Sequence, residues 1–468
     1  MRFKSIFSNS FGILISRVSG LLRDILMTSA LGAGMWSDIF LMAFKFPNLF
    51  RRIFAEGSFT QSFMPSYVAS KQKGVFAVAI FMRFMFIIIG FSLIVTLFPE
   101  TFTKALAWDW SDDLIAKTAP LTVINFWYLD LIFIVTFLGT VLQHKEHFFT
   151  TAFSTVWLNI AMIATLMFYA KSEPQTIVYA LSFSIIAGGL LQVATHIIAI
   201  RKKGLAKIFI GGWKYRKTKD VKDEEKNFNK LFLQSVLGNS TAQIASFIDT
   251  SLASFLAAGS VSYLFYANRV FQLPFAIIAL AITTALFPTI AKAIKNNNET
   301  LAFSNLNRAF WLLSILLGAS VLGGMILSEP IVWLLFERGA FDLEDTKNTA
   351  FVLEMYMIGL VPFGLAKLFS LYLYAMHKHL KAAKIAIISL VINVIFSIIL
   401  MQYIGAAGLA LAGSIGGFAQ FALTVKEIGF DKLWQIIKSK KTPMFIGGMV
   451  FFGTILYFIN KFLIDLIR

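Results

Sequence analysis

The chain has 468 residues, of which 57% are hydrophobic and only 14% charged, and its mean hydropathy is +0.74. Soluble domains carry roughly 25% charged residues, so this composition excludes a soluble protein and predicts an all-α polytopic membrane protein. The net charge of +17 would suit a nucleic-acid partner, but the positive residues cluster in alternate loops, as orientation signals do, which argues against one. The sequence contains no cysteine, which excludes disulfides and thiol chemistry.

Apolar runs separated by polar breaks predict about thirteen membrane spans. In chain order they lie near residues 10–31, 36–66, 76–98, 119–142, 148–170, 176–199, 229–257, 261–292, 302–327, 346–376, 380–402, 405–427 and 444–464. The second, eighth and tenth exceed the usual length and are expected to tilt or kink. Arg17, Arg23 and Asp24 interrupt the first apolar run, so we expect a retained helix there rather than a signal peptide.

The connections between spans alternate in charge. Basic residues mark one set, which includes Lys71, Lys145 and the run from Arg201 to Lys217, whereas acidic residues such as Asp113 and Glu173 mark the other. Because lysine and arginine are retained on the cytoplasmic side, the basic connections and the N-terminus are predicted to be cytoplasmic.

Two motifs recur in the same order in each half of the chain. The pattern D-x4-S-x-L-x-A-G occurs at 24–34 and again at 249–259, and a Thr-x4-Pro pattern occurs at 60–65 and 283–288. Both copies start from the cytoplasm, so we expect two parallel-related six-helix lobes plus about one extra C-terminal transmembrane helix. The predicted division is an N-lobe over 1–200, a basic cytoplasmic connector over 201–228, a C-lobe over 229–428, and an interfacial segment with the extra helix over 429–468.

Ionisable residues lie inside several predicted spans. They include Arg17, Arg23 and Asp24 in the first span, Asp38, Lys45, Arg51, Arg52 and Glu56 in the second, Asp249 in the seventh, Arg269 in the eighth, and Glu354 and Lys367 in the tenth. Charges in hydrocarbon face a partner or a watery cavity. Pro47 and Pro274 lie beside these charges and are expected to bend their helices and act as hinges.

An excess of arginine favours an anionic ligand with phosphate groups, since the planar guanidinium makes paired hydrogen bonds to phosphate oxygens. The competing interpretation is structural, with each arginine paired to a neighbouring carboxylate and holding helices together. The residues alone leave both interpretations open.

Four segments resemble the MurJ (MviN) family of lipid II flippases. They are SRVSGLLRD (16–24), LGAGMWSDIFLMAFKFPNLFRRIFAEGSFTQSFMP (31–65), IDTSLASFLAAGSVSYLFYANRVFQLP (248–274) and FERGAF (336–341). The resemblance implies two six-helix lobes of the multidrug/oligosaccharidyl-lipid/polysaccharide exporter superfamily, alternating access, and export of undecaprenyl-diphosphate-linked peptidoglycan precursor (lipid II) across the bacterial inner membrane.

The resemblance also implies a set of site residues. It assigns substrate binding to Arg17, Arg23, Arg51, Arg52 and Arg269, and supporting or gating roles to the acids Asp24, Asp38 and Glu56. A weak cation site is expected at Asp249 and Asn393, because Ser397, one turn beyond Asn393, adds no charge. Asn268 stands where relatives often have aspartate, and one helix is found after the twelfth where the family typically has two.

The leading hypothesis is therefore a monomeric flippase that needs no cofactor, is aided by the membrane potential, and meets membrane lipids as its other partners. An exporter of another lipid-linked oligosaccharide, or of soluble drugs or cations, is the alternative on the same fold. A membrane glycosyltransferase would need paired carboxylates at a membrane face. The acidic segment at 109–113 is the nearest candidate, but it is interpreted as a solvated loop, so no enzymatic activity is expected.

Overall fold

The computed structural model of the protein describes residues 3–51 and 57–467, and every regular element within those residues is helical. The prediction of an all-α membrane protein is confirmed. The chain divides into two compact units, Met1–Phe255 and Leu256–Arg468. The lobe boundaries expected from the sequence repeat remain a prediction, because the two units are defined by packing within the structure and the lobes by the repeated motifs.

The first unit contains eleven helices within the described residues. They are α1 (Phe3–Leu31), α2 (Met35–Phe50), α3 (Ser58–Ala69), α4 (Lys73–Leu97), α5 (Pro99–Lys104), α6 (Asp112–Phe126), α7 (Tyr128–His144), α8 (Phe149–Phe168), α9 (Pro174–Lys202), α10 (Ala206–Tyr215) and α11 (Lys222–Ala253). In this unit α1 packs on α8, α8 and α7 pack on α9, and α2 packs on α6.

The second unit begins with α12 (Ser260–Pro274), which continues directly into a π-helical segment, Phe275–Leu280. The remaining helices are α13 (Ala281–Lys295), α14 (Glu299–Ile326), α15 (Ser328–Phe336), α16 (Leu343–Ile358), α17 (Leu360–Ala375), α18 (His379–Ile428), α19 (Phe430–Ile437) and α20 (Lys441–Ile467). Here α17 packs on both α18 and α14, and α12 packs on α16.

Nine helical stretches in the described ranges are long and apolar enough to cross a membrane. Several join neighbouring helices, as in Asp112–His144, which contains α6 and α7. The predicted first, second and seventh spans are not among the nine, since α1 and α11 are less apolar and α2 and α3 are individually short. The chain is thus a multi-pass membrane protein, and the count of about thirteen spans remains a prediction.

Helix α18 shows how one continuous stretch accounts for two predicted spans. Its 50 residues would extend for about 75 Å at 1.5 Å per residue, far more than the roughly 30 Å hydrocarbon core. The helical backbone is interrupted at Ile404 and Gly405. Gly405 has a φ of 57°, a left-handed conformation that glycine adopts without steric conflict. The break lies between the predicted eleventh and twelfth spans.

An aromatic cluster forms the core of the first unit. Its rings come from four helices and stack or meet edge to face: Phe59 and Phe63 on α3, Phe76 and Phe84 on α4, Phe133 and Phe137 on α7, and Phe228 on α11. All seven side chains are buried. The last turns of the predicted connector therefore belong to a packed helix, with Phe228 at the centre of the cluster.

Replacing Phe228 by alanine is expected to destabilise the protein by about 3–5 kcal/mol, since a buried phenyl ring is lost and a cavity remains. The apparent Tm in detergent would measure this change. Phe86 on α4 is 81% exposed, so Phe86→Ala is the matched control and should leave the Tm close to the wild-type value. Equal Tm values for the two variants would contradict a core role for Phe228.

Helix α10 in the connector is held against α4 by a close approach of two glycines. A Cβ at Gly212 would lie 2.1 Å from the Gly74 carbonyl oxygen, and a Cβ at Gly74 would lie 2.5 Å from the Ile208 carbonyl oxygen. Any larger residue at either position would push the two backbones apart, so glycine at both positions permits α10 to lie on α4.

The C-terminal segment contains the two predicted helices. Helix α20 is the extra apolar helix expected after the twelfth span, and it packs on α14 through Phe445 and Trp311. Helix α19 is the segment expected at the membrane interface, and it exposes Phe430 and Trp434 one turn apart. Its location at the interface remains a prediction.

Candidate functional site

Arg23 is buried in the first unit and bound by its neighbours. Its Nη2 lies 2.6 Å from Oδ1 of Asp24, its Nε donates to the same oxygen at 3.0 Å, and its Nη1 donates to Oδ1 of Asn159 at 3.1 Å. Arg23 is 9% exposed and Asp24 only 2%. A buried ion pair needs additional hydrogen bonds to offset its desolvation, and the bond to Asn159 is one of these.

Asn159 on α8 ties this ion pair to the preceding turns of α1. Its Nδ2 donates to the carbonyl oxygen of Ser16 at 3.1 Å and to Oγ of Ser19 at 2.9 Å. The amide oxygen of Asn159 thus accepts from Arg23, while its amide nitrogen donates to the preceding turns of α1. Sequence analysis did not identify Asn159, because an uncharged polar residue within an apolar run carries no distinctive pattern.

Arg17 lies on the same helix but in a different environment. Its side chain is exposed, and no residue in the described part of the chain gives it a hydrogen bond or an ion pair. Arg17 and Arg23 are six residues apart, so they point in different directions on a straight helix. The structure accordingly leaves Arg17 accessible to a ligand while Arg23 is held by protein groups.

The predicted site residues of the second span differ in how far they are buried in the protein. Asp38 is buried in the first turn of the helix, and Arg51 is half-buried at its C-terminal end. Lys45 donates from Nζ to Oγ of Ser246 on α11 at 2.8 Å, which links α2 to α11 within the first unit. Arg52 and Glu56 were also predicted site residues, but they lie outside the described residues.

Pro47 lies within α2 and is buried, and the helix continues beyond it to Phe50. The rings of Phe46 and Phe50 flank it and stack at 5.9 Å between centroids. Phe50 also meets the ring of Phe126 on α6 at 5.7 Å. Aromatic packing therefore surrounds the proline, whose missing N–H leaves one helical carbonyl without its usual donor.

Arg269 in the second unit is half-buried on α12, with its guanidinium carbon 5.1 Å from the ring centroid of Phe265. The neighbouring Asn268 accepts a hydrogen bond at Oδ1 from Gln272. Pro274 ends α12 at the start of the π-helical segment. Prolines and π-helical turns are the usual causes of kinks in membrane helices, so the backbone here has two reasons to bend.

The two residues predicted to hold a cation lie in different units. Asp249 is half-buried on α11 in the first unit. Asn393 is buried on α18 in the second unit, where its Oδ1 accepts from Oγ of Ser397 at 3.1 Å. That bond uses one of the two lone pairs of the amide oxygen. The cation site remains a prediction.

A buried acid that sequence analysis did not single out lies on α7. Asp130 is 5% exposed and accepts a hydrogen bond at Oδ2 from Oγ of Ser92 on α4 at 2.7 Å. The signal was available, since Asp130 is an ionisable residue within the predicted span 119–142, and such residues are functional candidates.

Comparison with known proteins supports the resemblance inferred from the motifs. A family model described as Lipid II flippase MurJ matches residues 27–465. A protein from Helicobacter pylori named "Probable lipid II flippase MurJ" is 48% identical over 432 residues, which cover 90% of this chain and 94% of that protein.

Solved structures agree in fold along almost the full length. A lipid II flippase MurJ in an inward closed conformation is 26% identical, with a TM-score of 0.79 over 98% of this chain and 99% of that chain. A multidrug resistance MATE family transporter of the MOP superfamily, in an inward-facing conformation, shares the fold at 14% identity, with a TM-score of 0.62 over 94% of this chain and 96% of that chain. Because the family model and a close relative both span most of the sequence, the chain belongs to the lipid II flippase MurJ family.

Proposed function

We propose that this protein is a lipid II flippase that moves undecaprenyl-diphosphate-linked peptidoglycan precursor from the inner to the outer leaflet by alternating access. Its role would be in peptidoglycan biosynthesis, and therefore in cell-wall biogenesis and cell shape. Family membership supports the substrate class. The structural observation that carries the proposal is Arg17, an exposed cation within a predicted span that the described residues leave without an ion pair.

The geometry divides the arginines of the first unit into two roles. Arg17 is accessible and suits direct contact with a diphosphate, as does the half-buried Arg51 at the end of α2. Arg23 is held by Asp24 and Asn159 and would position α1 for that contact, exchanging to the substrate only if this ion pair opens. Arg52 and Glu56 remain sequence predictions.

Arg269 is proposed as a substrate contact contributed by the second unit. The family resemblance supports this role, and the planar guanidinium of Arg269, half-buried beside the ring of Phe265, is the kind of group that binds phosphate oxygens. The backbone near Pro47 and the proline–π junction at Pro274 are proposed as the places where helices bend during the transport cycle.

The proposed cycle needs no cofactor. A membrane potential that is negative inside would favour outward movement of the anionic head group by about 2.3 kcal/mol per charge per 100 mV. This cycle does not require a coupling cation, for which Asp249 and Asn393 remain the residues predicted from the sequence. The lipid tail would remain among membrane lipids, and one chain is proposed to be sufficient for transport.

The alternative is an exporter of another lipid-linked oligosaccharide, or of soluble drugs or cations. The likeness to the MATE transporter concerns the fold alone. A cation exporter needs accessible acids, whereas Asp24 and Asp38 are buried and Arg17, on the same helix as Asp24, is exposed. These environments favour an anionic substrate.

A transport role without catalysis is also proposed. The acidic segment that would have to serve a glycosyltransferase contains Asp112 and Asp113 at the start of α6. Asp112 pairs with Lys104 at 3.3 Å and Asp113 with Lys117 at 2.6 Å, all at the exposed surface. Carboxylates in exposed ion pairs with lysine fit a solvated loop better than an acid–base pair.

The direct test is a leaflet-accessibility assay for lipid II in cells depleted of this protein. We expect the outward-exposed fraction of lipid II to fall as the protein is depleted and to recover when it is expressed again. An outward-exposed fraction that does not change on depletion would contradict the proposed function.

The proposed location is the bacterial cytoplasmic membrane with the N-terminus inside. Because the sequence has no cysteine, single cysteines can be introduced without background labelling. Lys71→Cys and Lys145→Cys are expected to react with a membrane-impermeant thiol reagent only after the cells are opened. Asp113→Cys and Glu173→Cys should react in intact cells. The reverse pattern would contradict the orientation derived from the basic connections.

A further inference from the structure

Asp130 is a buried acid with a minimal set of partners and no role in the proposed cycle. It lies near the middle of the predicted fourth span, and its Oδ2 accepts from Oγ of Ser92 at 2.7 Å. Its Oδ1 is buried and has no hydrogen-bond partner among the described residues. A single hydroxyl is thus the only side-chain donor that this part of the structure offers to the carboxyl group.

No cation compensates this acid. The helices packed against α7 are α2, α3, α4, α6, α8, α9 and, through the rings of Phe137 and Phe209, α10. Besides Asp130, the charged or titratable residues of α7 and of these helices within the described ranges are Asp38, Lys45, Tyr67, Lys73, Arg83, Asp112, Asp113, Lys117, Tyr128, His144, Tyr179, His196, Arg201, Lys202, Lys207, Lys214 and Tyr215. In the described part of the chain, none of these forms an ion pair with Asp130.

Three of these groups lie or bond elsewhere. Lys45 donates to Ser246, and Arg83 pairs with Glu225 at 3.2 Å. Arg83 also precedes Ser92 by nine residues, which is about 13 Å along a helix. His196 lies beside Gly139, nine residues beyond Asp130 on α7.

The helix terminus does not replace a cation either. Asp130 is in the first turn of α7, where the helix dipole favours an anion. However, α6 ends at Phe126, immediately before α7 begins, and the N–H of Trp127 donates to the carbonyl oxygen of Val123 at 3.3 Å. The carbonyl end of α6 therefore adjoins the amide end of α7, and the two partial charges largely offset each other.

We propose that Asp130 is a proton-binding site and that it carries a proton in the conformation described. The described donors to this carboxyl group are one hydroxyl and the backbone N–H of Asp130 itself, and an ionised carboxylate with so few donors and no cation is disfavoured in an apolar interior, whereas the neutral acid is not. The step is simple addition of a proton from water to a carboxylate oxygen. One carboxyl group and one hydroxyl supply too few oxygens for a metal cation such as Ca²⁺, which takes six to eight.

The site joins two helices, so its occupancy is linked to their packing. The Ser92–Asp130 bond is a side-chain connection between α4 and α7. When these helices separate, the acid reaches water and releases the proton, and when they close the acid takes a proton up again. An asparagine at position 130 could accept the same hydrogen bond from Ser92, but it could not take up and release a proton. Proton exchange is therefore a role that the acid has and a neutral residue lacks.

Infrared spectra of the full-length wild-type protein and its variants in lipid nanodiscs, compared by difference, test the proposal. They do not measure transport, so the outcome is independent of the proposed function. We expect the wild-type protein at neutral pH to show the carbonyl stretch of a protonated carboxyl group. Asp130→Asn should remove that band. Asp113→Asn, at an exposed acid, should leave it unchanged. Absence of the band from the wild-type spectrum would overturn the proposal.

A second variant covers the case in which Asp130→Asn does not fold. Ser92→Ala keeps the acid but removes its hydrogen-bond donor, so the protonated-carboxyl band should move to higher frequency. A band that does not move in Ser92→Ala belongs to another acid and would overturn the assignment. Asp130→Asn should also have an apparent Tm at least equal to that of the wild type, because it mimics the neutral acid, whereas a large fall in Tm would indicate an ionised structural carboxylate.

Discussion

Replacing Arg17 by alanine is expected to reduce lipid II flipping by about tenfold to hundredfold, because a charge-assisted hydrogen bond contributes about 1.5–3 kcal/mol and each 1.4 kcal/mol is a factor of ten. Folding should be preserved, since the side chain is exposed and makes no hydrogen bond or ion pair to the residues that the structure describes. The leaflet-accessibility assay measures the loss, and the apparent Tm confirms that the variant is folded.

Two further variants show whether the effect of Arg17 depends on its chemistry. Arg17→Lys keeps the charge but loses the planar fork, so an intermediate rate is expected if a diphosphate is bound. Arg201→Ala removes an exposed arginine from the end of α9 and should leave flipping unchanged. Wild-type flipping by Arg17→Ala would refute a substrate contact at this position.

Removing the carboxylate of Asp24 is expected to destabilise the first unit by about 3–5 kcal/mol, the usual effect of leaving one partner of a buried ion pair uncompensated. Asp24→Ala would leave the guanidinium of Arg23, 9% exposed, with Asn159 as its remaining hydrogen-bond partner among the described residues. The apparent Tm in detergent measures the effect. Asp113→Ala breaks an exposed ion pair with Lys117 and should have almost no effect.

The double variant Arg23→Met/Asp24→Leu separates the structural role of Arg23 from a role in substrate binding. Replacing both charges with apolar groups of similar volume is expected to recover most of the stability that Asp24→Ala loses. If the recovered protein flips lipid II at the wild-type rate, Arg23 acts only within the ion pair. If it is stable but inactive, Arg23 also contacts the substrate. A Tm for Asp24→Ala equal to that of Asp113→Ala would contradict the importance of the buried pair.

The structure distinguishes arginines that sequence analysis treated alike. Arg17, Arg23 and Arg51 were all assigned to the substrate, because an intramembrane arginine is a functional candidate wherever it occurs. Only the packing of α1 on α8 shows that Arg23 meets Asn159, which is 136 residues away in the chain. A contact between residues so far apart leaves no trace in local periodicity.

Burial likewise separates acids that look similar in the sequence. Asp24 is neutralised by the arginine next to it, whereas Asp130 meets a serine from α4 and no cation in the described residues. The spacing of residues on one helix predicts which side chains share a face but not what lies opposite. The environment of Asp130 therefore required the packing of α7 against α4.

By itself, the sequence determined the membrane class, the charge alternation that predicts orientation, and the family. Composition, loop charge and motifs are read from the sequence without knowing which distant residues are in contact. It also predicted the interruption near Gly405 and the C-terminal apolar helix. The tertiary structure decided which charges have partners: Arg23 meets Asp24 and Asn159, and the ammonium group of Lys45 donates to Ser246. It also showed that the carboxyl group of Asp130 has one side-chain partner, Ser92, and no cation among the described residues. The free energy of an ionised group depends on the few atoms around it, and helix packing brings those atoms together from distant parts of the chain.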